Sequence, residues 1–203
     1  MQEADFVVAA GNQEAFAWVT AWPAWPGYGL VLHGPSGCGK THLAHIWATR
    51  SGAVFAETAS YLVEAQAGLL EAADQSAGDP VAEEALFHAM NAIAARRGHL
   101  LLTAATAPVL WPVRLPDLRS RLLALPSATI ALPDDVTLAA VMMKLFADRQ
   151  LRVSPEVVTY LVRRIERSCV AAQRIVAQLD MCALASGRAL TLPFVRDVLE
   201  TVA

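Results

Sequence analysis

Short apolar runs alternate with amphipathic stretches along the first part of the chain. Apolar residues recur at helical spacing over residues 12–20, and an unbroken apolar run follows at residues 29–33. Spacing of three to four residues is typical of a helix with one buried face, whereas a short, wholly apolar run is typical of a strand buried on both faces. The pattern therefore predicts a helix that leads into a buried strand.

The same alternation continues to about residue 131. Beyond the first strand, the predicted elements are a helix at 39–49, a strand at 53–55, a helix at 81–97, and strands at 99–103 and 128–131. Residues 60–80 contain apolar runs that are too short to distinguish a strand from a helix. Helices between successive strands predict a parallel sheet, because a parallel pair needs a crossover long enough to hold a helix.

The pattern changes after Pro133, where only helices are predicted. They lie near residues 135–149, 154–166, 168–186 and 191–202. Each of these stretches starts at a proline or at a good capping residue, which is the expected signal for a helix N-terminus. We therefore predict an α/β domain over residues 1–131 and a small all-helical domain over residues 132–203.

Composition limits where such a protein works. Although 55% of the 203 residues are hydrophobic and the mean hydropathy is +0.39, no apolar run approaches the length of a membrane span. The N-terminus lacks the pattern of a secretory signal. Three cysteines without paired spacing favour a reducing compartment, so we expect a cytoplasmic protein. The net charge of −3 predicts no general basic surface for nucleic acid.

The candidate chemistry follows the first predicted strand directly. Residues 34–41 read Gly-Pro-Ser-Gly-Cys-Gly-Lys-Thr, a complete phosphate-binding loop of the form Gly-x4-Gly-Lys-Thr. Such a loop, with the helix that it opens, points backbone N–H groups and the positive end of the helix dipole at a polyphosphate. Lys40 is predicted to reach the β- and γ-phosphates of a nucleotide, and the Thr41 hydroxyl to hold Mg²⁺. The alternative is a glycine-rich turn without a ligand.

Motifs along nearly the whole chain resemble the DnaA/Hda family of AAA+ proteins. The matching stretches are residues 5–8 with Asn12 and Ala15, residues 34–44, residues 84–88 with Asn91, residues 115–121 and residues 191–195. The resemblance implies a P-loop AAA+ module, in which an α/β nucleotide-binding domain is followed by a helical lid. It also implies binding of ADP or ATP with Mg²⁺.

The resemblance assigns residues to the nucleotide site by position. Phe6, Val7, Val8 and Asn12 would line the adenine pocket, although packing on the core is an equal alternative for them. The phosphate contacts would come from Gly34, Pro35, Ser36, Gly37, Cys38, Gly39, Lys40, Thr41 and His42. Thr41 and Glu71 would hold the metal through the nucleotide.

Arg121 stands where the family has its arginine finger, a catalytic residue presented to the nucleotide of a neighbouring subunit. A guanidinium suits this task because its planar fork pairs with phosphate oxygens at two points. The alternative is a surface arginine that pairs with Asp117, one helical turn earlier. If Arg121 is a finger, the protein meets a second AAA+ subunit.

The residues that hydrolyse ATP depart from the family pattern. Glu71 takes the first position of the second acidic motif, but Ala72 takes the second, unless Asp74 replaces it. Alanine at position 105 stands where an aspartate sensor is expected, so that only Thr103 remains polar there. We therefore expect at most weak ATP hydrolysis by the chain itself.

The lid departs from the pattern in a similar way. Val170 stands where the family has an arginine that touches the phosphates. Arg167 and Arg174 lie within one helical turn of that position and are candidates to compensate.

The resemblance implies a regulator of chromosomal replication initiation, which promotes inactivation of the ATP-bound initiator DnaA through contact between AAA+ modules. No helix-turn-helix domain follows the lid before Ala203, so sequence-specific DNA binding is not expected. The DNA polymerase sliding clamp is a further partner implied by the family, although residues 1–4 hold no clamp-binding peptide. A homodimer stays open.

Three other functions stay open from the sequence. One is a helicase-loader-like AAA+ ATPase that binds single-stranded DNA, which would need a basic groove that the composition does not supply. Another is an AAA+ scaffold that binds no nucleotide. The third is a P-loop small-molecule kinase, which the all-helical C-terminal domain disfavours.

Overall fold

The structure, a computed structural model, describes residues 6–202, with side chains as far as Glu200. The chain divides into two compact units, Met1–Ala131 and Leu132–Ala203. The part played by Asp5 in the family motif, and the expected absence of a clamp-binding peptide before it, lie outside the described residues. No helix within residues 6–202 is long and apolar enough to cross a membrane.

In the described part of the first unit, five parallel strands form one sheet. They are β1 (Gly29–His33), β2 (Val54–Ala56), β3 (Ala67–Leu70), β4 (His99–Ala104) and β5 (Ser127–Thr129). Their order in the sheet is β2-β3-β4-β1-β5, which confirms the predicted parallel α/β fold. Because all the strands run the same way, their carboxyl ends meet at one edge, which is where sheets of this kind bind ligands.

Helices cover both faces of this sheet. They are α1 (Gln13–Thr20), α2 (Lys40–Ser51), α3 (Pro80–Ala95) and α4 (Pro116–Ala124). Alternate residues of β1 serve the two faces: Leu30 and Leu32 pack with α1 and α2, whereas Val31 packs with α3 and α4. Successive side chains of a strand point to opposite faces, so a strand that is covered on both must be apolar throughout.

The strands differ from the sequence pattern at several points, and the differences at β3 and β5 have a clear cause. β3 lies inside residues 60–80, where short 3₁₀ helices at Ala59–Leu62 and Ala73–Ser76 surround it and obscure its period. β5 ends at Thr129 instead of residue 131 because its ladder with β1 ends at His33. The N–H of Ala131 donates instead to the Gly11 carbonyl oxygen, at 2.9 Å.

The second unit contains helices and no strand within its described residues. The helices are α5 (Asp135–Asp148), α6 (Pro155–Val162), α7 (Cys169–Ser186) and α8 (Leu192–Val202). Two of the predicted cap residues act as caps: Asp134 accepts a hydrogen bond from the Thr137 N–H, and Ser168 from the Ala171 N–H. α6 ends four residues before its predicted end at 166, because the backbone turns after Val162. Apolar residues of all four helices form one buried core.

Two histidines of the sheet make the stability of the first unit depend on pH. Burial lowers the pKa of His99, whose ring lies edge-on to the rings of Trp22 and Trp25. Burial also lowers the pKa of His33, where Glu14 acts in the opposite direction and Lys40 adds to the lowering. An unfolded chain, with histidine pKa values near 6.5, then binds more protons below that pH than the folded chain does.

The free energy of unfolding is therefore expected to be constant for these groups above about pH 6.5 and to fall as the pH drops below it. Urea unfolding followed at several pH values measures this slope. His99→Phe keeps a ring between Trp22 and Trp25 but cannot titrate, so its profile should be flatter than that of the wild type. An equally steep loss in this variant would contradict the assignment to His99.

Candidate functional site

The predicted phosphate-binding loop lies at the carboxyl edge of the sheet, between β1 and α2. Its first N–H, on Gly34, donates to the carbonyl oxygen of Ala104 at the end of β4, at 3.2 Å. Gly34 has a φ of +155°, and a Cβ atom there would lie 2.1 Å from the carbonyl oxygen of Ile130. Only glycine fits at this first position of the loop, because an added Cβ atom would overlap the backbone of Ile130.

The loop ends at the N-terminus of α2. Gly39 is the N-cap, with a left-handed φ of +108°, and no side chain in the described structure caps it. The first amides of a helix have no partner inside the helix. α2 therefore leaves N–H groups and the positive end of its dipole beside the loop, and this arrangement favours an anion.

Lys40 folds back over the loop. Its Nζ donates to the carbonyl oxygens of Gly34 and Pro35, at 2.6 and 2.9 Å, and lies 3.9 Å from Cys38 Sγ. These partners are uncharged, and phosphate oxygens would bind the ammonium more strongly. The glycine-rich backbone, the uncapped helix and the ammonium together fit the polyphosphate of a nucleotide.

The other predicted phosphate contacts lie on the same loop and on the first turn of α2. Pro35, Ser36 and Thr41 are exposed, Gly37 and His42 are half-buried, and Cys38 is buried. The burial of Cys38 leaves its backbone as the part that a ligand would meet. The exposed Thr41 stands at the second residue of α2, where its hydroxyl is accessible to a metal ion.

The segment predicted to line an adenine pocket runs beside this loop. The Phe6 ring stacks on Phe16 at 5.7 Å and lies edge-on to His42 at 5.4 Å, between ring centroids. A Cβ atom built on Gly39 would lie 3.7 Å from Phe6, so the segment and the loop are adjacent. The structure thus brings Phe6 close to Gly39 and His42, two of the predicted phosphate contacts.

The Asn12 and Val8 side chains of that segment differ in whether a ligand could contact them. The Asn12 side chain is bonded within the segment, because it donates to the Val7 carbonyl oxygen at 3.0 Å and accepts from the Ala9 N–H at 2.8 Å. It therefore shapes the turn before α1. Val8 remains 46% exposed, so its side chain is accessible to a base.

The residues expected to support hydrolysis lie at the ends of β3 and β4. Glu71 follows β3 and is exposed, whereas Ala72, in the position of the second acid, is in the left-handed region with a φ of +51°. The hydroxyl of the buried Thr103 accepts a hydrogen bond from the Ala72 N–H at 3.2 Å. Asp74 accepts from the Ala105 N–H at 2.9 Å. The Thr103 and Asp74 side chains thus link the segment after β3 to the end of β4, because each accepts a hydrogen bond from a backbone N–H group.

The predicted magnesium ligands come from separate strand ends. Thr41 follows the loop after β1 and Glu71 follows β3, and β4 lies between those strands. Within residues 6–202, no group of three or more His, Cys, Asp or Glu side chains could hold a metal ion. A magnesium ion at this edge would therefore depend on oxygens from the nucleotide phosphates.

Arg121 lies on α4 and is half-buried. Its guanidinium carbon is 5.4 Å from the centroid of the Phe87 ring, on α3. Burial raises the pKa of the Tyr28 phenol, and the neighbouring Arg121 partly offsets this rise. Among the ion pairs of the described residues, none joins Arg121 to Asp117, and the finger role of Arg121 stays a prediction.

A cavity of about 200 Å³ adjoins this guanidinium. Its lining is mostly apolar and consists of Pro26, Gly27, Tyr28, Arg121, Ala124, Leu125 and Pro126. Arg121 contributes the one charged group of this lining. The Arg121 guanidinium therefore packs against the Phe87 ring and forms no ion pair with a carboxylate of the described residues.

The lid residues proposed as substitutes for the missing arginine occupy different surroundings. Val170, in the first turn of α7, is 58% exposed. Arg167 pairs with Asp135 at 2.9 Å, whereas Arg174 is exposed on α7. Of the two candidate arginines, Arg174 has the side chain that is more readily available to a phosphate.

Sequence reasoning missed Glu83, which is 1% exposed on α3. Its carboxylate accepts hydrogen bonds from the backbone N–H groups of Gly78, Arg114 and Leu115. The signal was present, since Glu83 continues the buried helical stripe that contains Leu86, Met90 and Ile93. A carboxylate on the buried stripe of a helix requires partners, and this requirement identifies it as a residue of interest.

Comparison of the lid with known families gives one match. Residues 134–199 match the family model described as "Hda, lid domain". No curated protein sequence matches the chain.

Comparison with solved structures gives the same fold along nearly the whole chain. Domain III of the Thermotoga maritima replication initiation protein DnaA matches with a TM-score of 0.86 and 17% identity, over 98% of this chain and 95% of that one. The AMPPCP-bound DnaA of Aquifex aeolicus matches with a TM-score of 0.73 and 19% identity, over 90% and 64% of the respective chains. The Holliday junction branch migration motor RuvB of Thermotoga maritima matches with a TM-score of 0.75 and 15% identity, over 98% and 71%.

The TM-scores show that the chain shares the fold of these proteins, a parallel α/β domain followed by a small helical domain. Against the longer Aquifex aeolicus structure, the chain spans less than two thirds of its relative's length.

Proposed function

We propose that this chain is an AAA+ protein of the DnaA/Hda family and a nucleotide-binding regulator of chromosomal replication initiation. In this role it binds ADP or ATP with Mg²⁺ and promotes inactivation of the ATP-bound initiator DnaA. The Hda lid-domain match over residues 134–199 favours this member of the family over the others. The AMPPCP-bound DnaA with the same fold supports an adenine nucleotide as the ligand.

The loop residues hold the nucleotide in this proposal. The amides at the start of α2 and the Lys40 ammonium bind the phosphates, while Thr41 and Glu71 orient Mg²⁺ and its water. Bound Mg²⁺ would supply charge neutralisation on the phosphate oxygens. In this proposal Phe6 and Val8 contact the base, which is supported by the position of Phe6 beside Gly39 and by the exposure of Val8.

The chain is expected to hydrolyse ATP slowly on its own. Ala72 has no acidic group to activate water, and the Asp74 carboxylate is bonded to the Ala105 N–H. The nucleotide then acts as an effector that favours one conformation of the protein over another. Its turnover is not needed for that role.

The proposal of a partner rests on the position of Arg121. Its guanidinium is held over the Phe87 ring and, among the described residues, has no carboxylate to neutralise it. A cation kept in this way is available to the phosphates of a second AAA+ subunit, where it would stabilise the charge that develops during hydrolysis. The proposed second subunit is the ATP-bound initiator DnaA.

The test is the rate at which ATP on the initiator becomes ADP when the purified chain is added, with and without the sliding clamp on DNA. Arg121→Ala should return the rate to that of the initiator alone, because the cation is lost. Arg119→Ala is the matched control, since it removes an exposed arginine from the same helix. Equal stimulation by wild type and Arg121→Ala would reject the finger role.

Comparison of the rates measured with and without the clamp also shows which partners the chain requires. Stimulation only in the presence of clamp and DNA would make the clamp a required partner, whereas stimulation by the chain alone would remove that requirement. Tight binding of single-stranded DNA, with no effect on the initiator, would instead favour a helicase-loader-like role.

A further inference from the structure

Two helices meet around one buried carboxylate in the first unit. Glu83, on α3, accepts from the Leu115 N–H at 2.8 Å and from the Arg114 N–H at 3.0 and 3.1 Å. It also accepts from the Gly78 N–H at 2.7 Å. Burial raises the pKa of Glu83, but these backbone hydrogen bonds outweigh that effect and lower it below the usual range. The carboxylate is therefore ionised and bonded only to backbone donors on the described chain.

The position of these donors gives the carboxylate a specific task. Leu115 is the N-cap residue of α4 and has no side chain that could cap the helix. The amides before and at the start of a helix need an acceptor, and a negative charge there also interacts favourably with the helix dipole. Glu83 supplies both from another element, so that α3 provides the cap that α4 lacks.

The same face of α3 holds α4 at a second point. Phe87 lies one helical turn after Glu83, and its ring lies under the Arg121 guanidinium at 5.4 Å. Residues four apart on a helix project from the same face. The Glu83 contact thus fixes the start of α4, and the Phe87 contact fixes the Arg121 side chain on that helix.

We propose that this face of α3, made by Glu83 and Phe87, positions α4 so that the Arg121 guanidinium meets the partner's nucleotide. The inference rests on the proposed role of Arg121 as an arginine finger. Glu83 and Phe87 touch no reacting atoms and act as positioning residues. Catalytic groups must be held within a fraction of an ångström of their working geometry, and such precision comes from supporting contacts of this kind.

The first measurement needs no partner. Amide hydrogen exchange at Arg114 and Leu115 should be slow in the wild type, since both N–H groups donate to a buried carboxylate. Glu83→Gln keeps the shape but turns an NH₂ group toward backbone donors, so exchange at these two amides should become faster by about tenfold. Glu84→Gln, at the exposed neighbouring carboxylate, should exchange as the wild type does.

The second measurement is stimulation of ATP hydrolysis on the initiator, at increasing concentrations of each variant. Glu83→Gln and Phe87→Leu should lower the maximal rate at saturating concentration by about three- to tenfold, as expected for the loss of one supporting contact. A protein that is merely less stable would need a higher concentration to reach an unchanged maximal rate. Glu84→Gln should match the wild type in both quantities.

Each outcome decides one claim. Unchanged exchange at Arg114 and Leu115 in Glu83→Gln overturns the capping contact, and an unchanged maximal rate alongside an inactive Arg121→Ala overturns the positioning role. A wild-type chain that fails to stimulate the initiator overturns the proposed function instead. In that case, exchange along α4 in Glu83→Gln still decides whether α3 holds that helix.

Discussion

Replacement of Lys40 by alanine is expected to weaken nucleotide binding by about 100-fold. Each hydrogen bond to a charged group contributes about 1.5–3 kcal/mol, and the proposed ammonium contacts to two phosphates would all be lost. The stability of the free protein should change by less than about 1 kcal/mol, because the Lys40 ammonium contacts only uncharged groups of its own loop. Calorimetric titration with ADP, and with ATP plus Mg²⁺, measures the loss.

The chain itself offers a matched control for this experiment. Lys144 is the only other lysine in the sequence, and it pairs with Asp148 on α5 at 3.0 Å. Lys144→Ala removes the same charge from the protein, so it should bind nucleotide as the wild type does. Failure of the wild type to bind either nucleotide would contradict the proposed role of the nucleotide as an effector. The AAA+ scaffold that binds no nucleotide would then be the remaining alternative. Equal losses in both variants would indicate a general effect of charge and not a contact with phosphate.

The backbone of the loop after β1 was predictable because the predicted function and the backbone geometry require the same residues. A buried strand, glycines at fixed positions and a Lys-Thr pair leave few other structures for residues 29–41. The core strand β1 was equally clear, since a strand covered on both faces must be apolar throughout. Local sequence was sufficient at these positions.

Long-range contacts account for what the sequence did not reveal. The four residues of β3 are buried, but their short run between two 3₁₀ helices has no period of its own. The role of Glu83 depends on Arg114 and Leu115, which lie about thirty residues further along the chain. Their meeting is a consequence of how α3 and α4 pack, and no local pattern encodes it.

The substitution of Gly34 by alanine is expected to reduce the free energy of unfolding by about 3 kcal/mol or more. Two causes add. A φ of +155° is strained for any residue with a Cβ atom, and that atom would lie 2.1 Å from the Ile130 carbonyl oxygen. Relief of the overlap requires movement of backbone, since the Gly34 N–H bonds to Ala104 and the Ile130 N–H bonds to His33, at 3.2 and 2.8 Å.

Gly52→Ala gives a reference for a positive φ without any overlap. Gly52 ends α2 with a φ of +66°, and nothing lies within 4 Å of the position that a Cβ atom would take. It therefore carries the strain without the overlap, and should cost about 1 kcal/mol. Urea unfolding of both variants measures the difference, which comes from the close approach of the loop to the segment after β5 and from the larger strain at a φ of +155°. If the two variants lose equal stability, the backbone around Gly34 yields easily and the loop is less constrained than its contacts imply.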